Sequence, residues 1–221
     1  MPHALVLSHG WIAHELGHLE PWFDRHGFTV SRVYREQPTA LPDADLLVVM
    51  GSPGSAADGY CTPPDAREIA VVGDWVAQGR PCLGLCFGAQ VLAAATGGSV
   101  QRMTTPFSGY VEMDLTPRAP AALGGAWLTW HEDALTPPES ADLLGRRDHA
   151  ALAFRISRAW GLQPHVEVTP EIAERMLVGL GVPENEYGII LGVMRSHSER
   201  DAERAASLLD AFLDDVSADR P

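Results

Sequence analysis

The sequence predicts an α/β fold built on a mostly parallel sheet, and three observations carry that prediction. Short apolar runs alternate with helix-compatible segments along the first half of the chain. Two of those runs, residues 46–50 and 81–85, are apolar throughout, as expected of strands covered on both faces. Each opens into a glycine-bearing turn: Gly51-Ser52-Pro53-Gly54 after the first, Cys86-Phe87-Gly88 after the second.

Taken in order, residues 4–8 form a short apolar first strand. Helix-compatible sequence follows over about residues 13–26, closed by Gly27 as a C-cap. Residues 28–34 alternate apolar and polar as a second strand, and residues 46–50 are the third. Residues 65–78 have helical periodicity and stop at Gly79. The strand 81–85 then leads into an alanine-rich helix, residues 90–96, ended by Gly97-Gly98. Beyond Gly98 the pattern changes. Residues 100–116 and 126–130 read as shorter β segments broken by Pro117, Pro120 and Gly124-Gly125, suited to hairpins or antiparallel additions. Residues 151–156 and 159–163 are two further strands around a short turn, and residues 171–180 a helix. Residues 199–216 form an amphipathic closing helix with Ala205, Leu208, Leu209, Phe212 and Leu213 on one face. The last five residues are expected to fray. With no internal repeat and no linker, residues 1–221 read as a single domain.

Composition narrows the function. At 221 residues and 46% hydrophobic, the chain can bury a sizeable core. A net charge of -13 argues against non-specific nucleic-acid binding. No apolar stretch is long enough to span a bilayer, and no basic-then-apolar leader opens the sequence, so a cytoplasmic protein is expected. Cys61, Cys82 and Cys86 are odd in number and lack zinc-ribbon spacing, implying neither a disulfide framework nor a structural metal. All sixteen basic residues counted as Lys+Arg are arginine. A pyridoxal Schiff base, a Walker A lysine and a Ser–Lys dyad are thereby excluded. No cofactor is implied.

The segment Gly84-Leu85-Cys86-Phe87-Gly88 is the cysteine form of the G-x-S-x-G elbow, a strand-to-helix turn with a nucleophile at its apex. Glycines are needed on both sides because a Cβ would clash where strand and helix approach. Cys86 also stands at a helix N-terminus, where unpaired N–H groups favour a thiolate. A buried structural cysteine ahead of a helix would share the pattern. A thiol nucleophile needs a base, and the base an orienting group. His165 follows an apolar strand, and Glu167 lies two residues on, so in extended chain both can face one cleft. A surface histidine beside an acid would look the same. For the oxyanion, a backbone N–H of Gly51 or Ser52 can join that of Phe87, since ligand sites collect at the carboxyl ends of parallel strands.

These pieces together resemble the class I (triad-type) glutamine amidotransferases. Gly84-Leu-Cys86-Phe-Gly-Ala-Gln90 resembles that family's nucleophile signature, and Gly161-Leu-Gln-Pro-His165-Val-Glu167 its histidine–glutamate segment. Residues 49–54 are similar to its oxyanion loop. Trp130-His131-Glu132-Asp133, the stretch 137–144 and Ala153-Phe154-Arg155 resemble stand-alone members related to the glutaminase domain of GMP synthase. The resemblance implies a flavodoxin-like doubly wound sheet with helices on both faces and a small additional hairpin region. It implies hydrolysis of the side-chain amide of glutamine through a thioester on Cys86, with His165 as base, oriented by Glu167. Gly51, Ser52 and Phe87 would hold the oxyanion, and Gln90, Leu85 and His131 would stand at the bound substrate. His131 and Asp133 would line the entrance. Ammonia would pass to a partner synthetase or another acceptor. Three departures bear on substrate identity: Ser52 replaces the usual second glycine, Pro164 and Val166 flank His165 where phenylalanine and proline are usual, and the segment before Val111 lacks the usual substrate-contacting pattern.

Other readings come from the same residues. Relatives include γ-glutamyl hydrolases, which cut γ-glutamyl bonds without a partner, and non-catalytic binding relatives. His14-Glu15-Leu16-Gly17-His18 matches H-E-x-x-H, the helix of zinc metallopeptidases. Gly17 inside the motif and Pro21 one turn later oppose that helix, and Pro21 and Asp24 stand where the extended motif has glycine and histidine.

Overall fold

The computed structural model describes residues 1–37, 41–148 and 150–218. Ten strands and five α-helices are present among them: β1 (His3–Ser8), α1 (Leu19–Arg25), β2 (Thr29–Tyr34), β3 (Leu46–Val49), α2 (Pro63–Ala77), β4 (Cys82–Leu85), α3 (Phe87–Ala95), β5 (Ser99–Glu112), β6 (Asp114–Leu115), β7 (Ala126–Thr136), β8 (Asp142–Arg147), β9 (Ala150–Ile156), β10 (Ala159–Leu162), α4 (Pro170–Gly179) and α5 (Glu184–Ser217).

The main sheet has the order β2-β1-β3-β4-β10-β9-β8-β6. Its first five strands run parallel, and β9, β8 and β6 extend it antiparallel. The expected doubly wound, mostly parallel sheet is therefore present. Why the central strands are apolar throughout is visible in the packing. Along β1, Ala4 and Val6 face a cluster with Trp22 and Phe23 of α1 and Leu208, Leu209 and Phe212 of α5. Leu5 and Leu7 face the opposite cluster with Val72, Trp75 and Val76 of α2 and Val91 and Leu92 of α3. Alternate side chains thus enter opposite cores, and no face is left for water. The hairpin region is a separate two-stranded antiparallel sheet, β5 with β7.

Two expectations are corrected, and one strand is added. The first helix covers only Leu19–Arg25, not residues 13–26. Gly17 lies at φ +51°, and a Cβ there would come 1.9 Å from the carbonyl oxygen of Glu167. His18 N–H donates to that same carbonyl at 2.9 Å, so residues 9–18 are shaped by contact with the chain after β10 rather than by helix periodicity. The closing helix begins at Glu184 rather than residue 199. Gly188 and Gly192 weaken its first turns locally, but Tyr187, Leu191 and Met194 pack with Ile172 and Leu177 of α4, and that burial holds it. Residues 142–147, unassigned from sequence, are strand β8. Residues 219–221, the end of the stretch expected to fray, lie outside the described residues.

Candidate active site

The site forms where three neighbouring strands end. β3, β4 and β10 lie side by side, and each runs into a loop at its carboxyl end: Gly51 after β3, Cys86 after β4, His165 after β10. Leu162 pairs with Leu85 in parallel register, so both loops leave the sheet at one level.

Cys86 has φ 51° and ψ -107°, a left-handed conformation that a residue with a Cβ adopts only under constraint. The constraint is visible on both sides. Its N–H donates to Leu162 O at 2.8 Å, and α3 starts at the next residue. A Cβ at Gly84 would stand 2.4 Å from Gly88 O, and one at Gly88 would stand 2.0 Å from Val49 O. Both glycines of the elbow are therefore required by close backbone approach.

His165 is buried, and its Nδ1 lies 2.8 Å from Glu167 Oε1, also buried. Its N–H donates to Leu128 O at 2.7 Å, tying the histidine segment to the hairpin sheet. Burial works against charge on the ring, but the charges of the neighbouring Cys86 and of Glu167, the latter also hydrogen-bonded to it, outweigh that. The pKa is raised well above 6.5. Gly51 closes the third side: a Cβ there would lie 3.3 Å from His165 Cε1 and 3.9 Å from Cys86 Cβ.

Gly51, Cys86 and His165 line a cavity of about 210 Å³ with Ser52, Phe87, Gln90, His131 and Asp133. Gln90 Nε2 donates to Gln163 Oε1 at 3.2 Å and to Asp133 O at 3.3 Å. Gln163 Nε2 donates in turn to Cys86 Sγ at 3.6 Å. His131 Nδ1 bonds Asp133 O at 2.7 Å, and burial and the nearby His165 lower its pKa. Leu85 is placed elsewhere: its side chain packs in the core and does not line the cavity. Several residues without any signal in the sequence are also brought here by the fold. Arg102 lines the cavity and bonds Asp133 Oδ1 at 3.2 Å while pairing with Glu132. Ser52 Oγ bonds His9 Nε2 at 2.8 Å, and His9 Nδ1 bonds Glu36 Oε1 at 2.6 Å. Only Gln163, within the histidine segment, had a positional signal.

The H-E-x-x-H residues do not form a ligand helix. Residues 14–16 have no regular structure, and Glu15 pairs with Arg175 at 2.6 Å. Among the described residues, no group of three or more His, Cys, Asp or Glu is placed to hold a metal ion.

A cysteine at a strained elbow beside a buried histidine–carboxylate pair suits acyl transfer, and comparison with known families shows the family. Residues 10–179 match the family model "Glutamine amidotransferase class-I". The chain belongs to the class I glutamine amidotransferases. It is similar to a GMP synthase of Thermus thermophilus, with 30% identity over 78% of this chain and 35% of that protein. The GMP synthase of Aeropyrum pernix is 29% identical over 65% of this chain and 29% of its own length. The chain thus spans about a third of these relatives. A separate glutamine-hydrolysing GMP synthase subunit of Sulfurisphaera tokodaii is 25% identical over 64% of this chain and 78% of its own length. In fold, the chain matches a glutamine amidotransferase of Thermotoga maritima with a TM-score of 0.83, 21% identity and coverage of 98% and 99% of the two chains. Among class I amidotransferases the shared activity is cysteine-dependent hydrolysis of glutamine, and the elbow of this member lies inside the matched span.

Proposed function

We propose that this protein is a glutaminase-type amidotransferase that hydrolyses the side-chain amide of glutamine through a thioester on Cys86. The row of Cys86, His165 and Glu167, with Nδ1 and Oε1 2.8 Å apart, is the observation that carries this reading. The thiol sulfur attacks the amide carbon, and its proton resides on His165, whose ring is held for protonation by Glu167. The tetrahedral oxyanion lies against the N–H groups of Phe87 and of Gly51 or Ser52. The C–N bond breaks as His165 hands its proton to the leaving nitrogen, and ammonia departs. Water, deprotonated by the same imidazole, then cleaves the thioester to glutamate. Gln90 and His131 contact the substrate within the cavity.

The ammonia has an acceptor on another chain in this reading. Two features support it. No lysine is available for an ATP-binding P-loop in this sequence. Exposed Leu180 lines the cavity, and Val178 and Ile189 are exposed on α4 and α5, apolar surface suited to a docked synthetase.

The test is treatment with a diazoketone analogue of glutamine, followed by mass spectrometry. A single glutamyl-type adduct on Cys86, absent in Cys86→Ala, is expected, together with ammonia release from glutamine. Cleavage of γ-glutamyl anilides with glutamine left intact would replace this reading with a γ-glutamyl hydrolase. Labelling that spares Cys86 would overturn both.

A further inference from the structure

Arg35 has no part in the chemistry above, yet it is among the most buried charges in the protein. The side chains of Arg35 and Glu68 are 2% and 3% exposed, with Arg35 Nε 3.1 Å from Glu68 Oε2. A buried ion pair gives back little net stability after desolvation, so its placement calls for another explanation. That placement is specific. Arg35 Nη1 donates to Gly51 O at 3.0 Å, and Nη2 donates to Met50 O at 3.0 Å and to Glu68 Oε1 at 3.2 Å. The guanidinium carbon lies 5.0 Å from the centre of the Phe87 ring. One side chain therefore touches both halves of the oxyanion site: the peptides after β3 and the residue after Cys86.

We propose that Arg35, held by Glu68, is a positioning residue that turns the Gly51 and Ser52 amides toward the reacting carbonyl. In a planar trans peptide, C=O and N–H point in opposite directions. Fixing the carbonyls of Met50 and Gly51 on the guanidinium turns the N–H groups of Gly51 and Ser52 the other way. The other way is the cavity, where Gly51 approaches His165 Cε1 and Cys86 Cβ. The cation also polarises both peptides, strengthening their N–H groups as donors. Lysine, a point charge without a fork, cannot hold two carbonyls and a carboxylate in one plane. The neighbouring Glu36 acts on the same loop through His9 and Ser52.

This inference rests on the proposed acyl-transfer role of Cys86, and two reactions of that thiol separate the roles. Alkylation by iodoacetamide displaces iodide at a saturated carbon and forms no oxyanion. Acylation by p-nitrophenyl acetate forms one: sulfur bonds to the carbonyl carbon, p-nitrophenolate leaves, and an acetyl thioester remains. Rates specific to Cys86 are taken as the difference from Cys86→Ala. In Arg35→Lys, acylation should fall about 10²-fold, the scale of one lost oxyanion donor. Alkylation should stay within about threefold, and it also reports that the site is folded. Glu68→Gln, which keeps the shape and frees the guanidinium, should lower acylation about tenfold; it decides the matter if Arg35→Lys does not fold. A parallel fall in both reactions, or no fall in acylation, would overturn the inference. So would a wild-type Cys86 that is alkylated but never acylated. A wild type that is acylated yet leaves glutamine intact refutes the glutaminase reading and leaves the Arg35 comparison standing.

Discussion

Leu162 lies beside Leu85 in parallel register, and this places His165, three residues past the one, against Cys86, one residue past the other. Cys86 and His165 are 79 positions apart in sequence, yet they are neighbours because β4 and β10 are adjacent. The same adjacency brings Gly51 from β3, and the carboxyl edge of the sheet becomes the site.

Glutamine turnover should depend on the His165 proton, with a sign fixed by its environment. Cys86 and Glu167 raise its pKa well above 6.5 despite burial. The imidazolium is therefore favoured to higher pH than in a free histidine, and activity limited by that proton should fall as pH rises through the raised value. In Glu167→Gln this limb should move toward 6.5, and kcat should drop by about 10²-fold or more. The stability linked to the pair has the same sign: full below pH about 6.5, lost as pH rises through the folded value. A pH profile of kcat and a urea midpoint measured against pH check both.

Cys86→Ser should reduce ammonia release from glutamine by about three orders of magnitude or more, since a hydroxyl at this base is a far poorer nucleophile. The thermal midpoint should hardly move, because one oxygen replaces one sulfur. Steady-state ammonia assays and a melting curve on the same preparation test the separation.

Two of the thiols, Cys82 and Cys86, should differ in reactivity. Cys82 is fully buried on β4, and desolvation pushes its pKa up to about 12. It should resist iodoacetamide in the native protein and react only after unfolding, whereas Cys86 should be labelled natively. Peptide mapping after labelling in and out of denaturant reads this directly.

Gly88→Ala should break the fold at the elbow. The added Cβ would meet Val49 O at 2.0 Å, and neither backbone can retreat without disturbing β3 or α3. A loss at or above the top of the ~1–3 kcal/mol range for overpacking is expected. A urea titration would show it as a lowered midpoint.

Ser52→Gly removes the hydroxyl that joins His9 to the loop after β3. The loop also loses the bond from Gly54 N–H to Ser52 Oγ at 2.9 Å. With Arg35 still on the carbonyls of Met50 and Gly51, kcat for glutamine should fall less than about tenfold. Steady-state kinetics on the variant test this.

Local pattern in the sequence determined the alternation of strands and helices, the elbow at Cys86 and the pairing of His165 with Glu167. Each of these is written over a few consecutive residues: an apolar run, two glycines around a cysteine, a histidine and an acid two apart. The same locality misled where distant contacts prevail. Residues 13–18 have helical composition, but the carbonyl of Glu167 and the left-handed Gly17 hold them open. The first half of α5 carries Gly188 and Gly192, yet packing on α4 makes it helix. Only the tertiary structure decided which further polar residues gather behind and beside the site loops. Arg35 comes from the end of β2, Glu68 from α2, Gln163 from the end of β10 and Arg102 from the hairpin sheet. None has a partner within four positions of itself in this network, so apart from Gln163, which lies in the histidine segment, no spacing could announce them. Strand order sets such encounters, and strand order follows from the burial of both sheet faces rather than from any short motif.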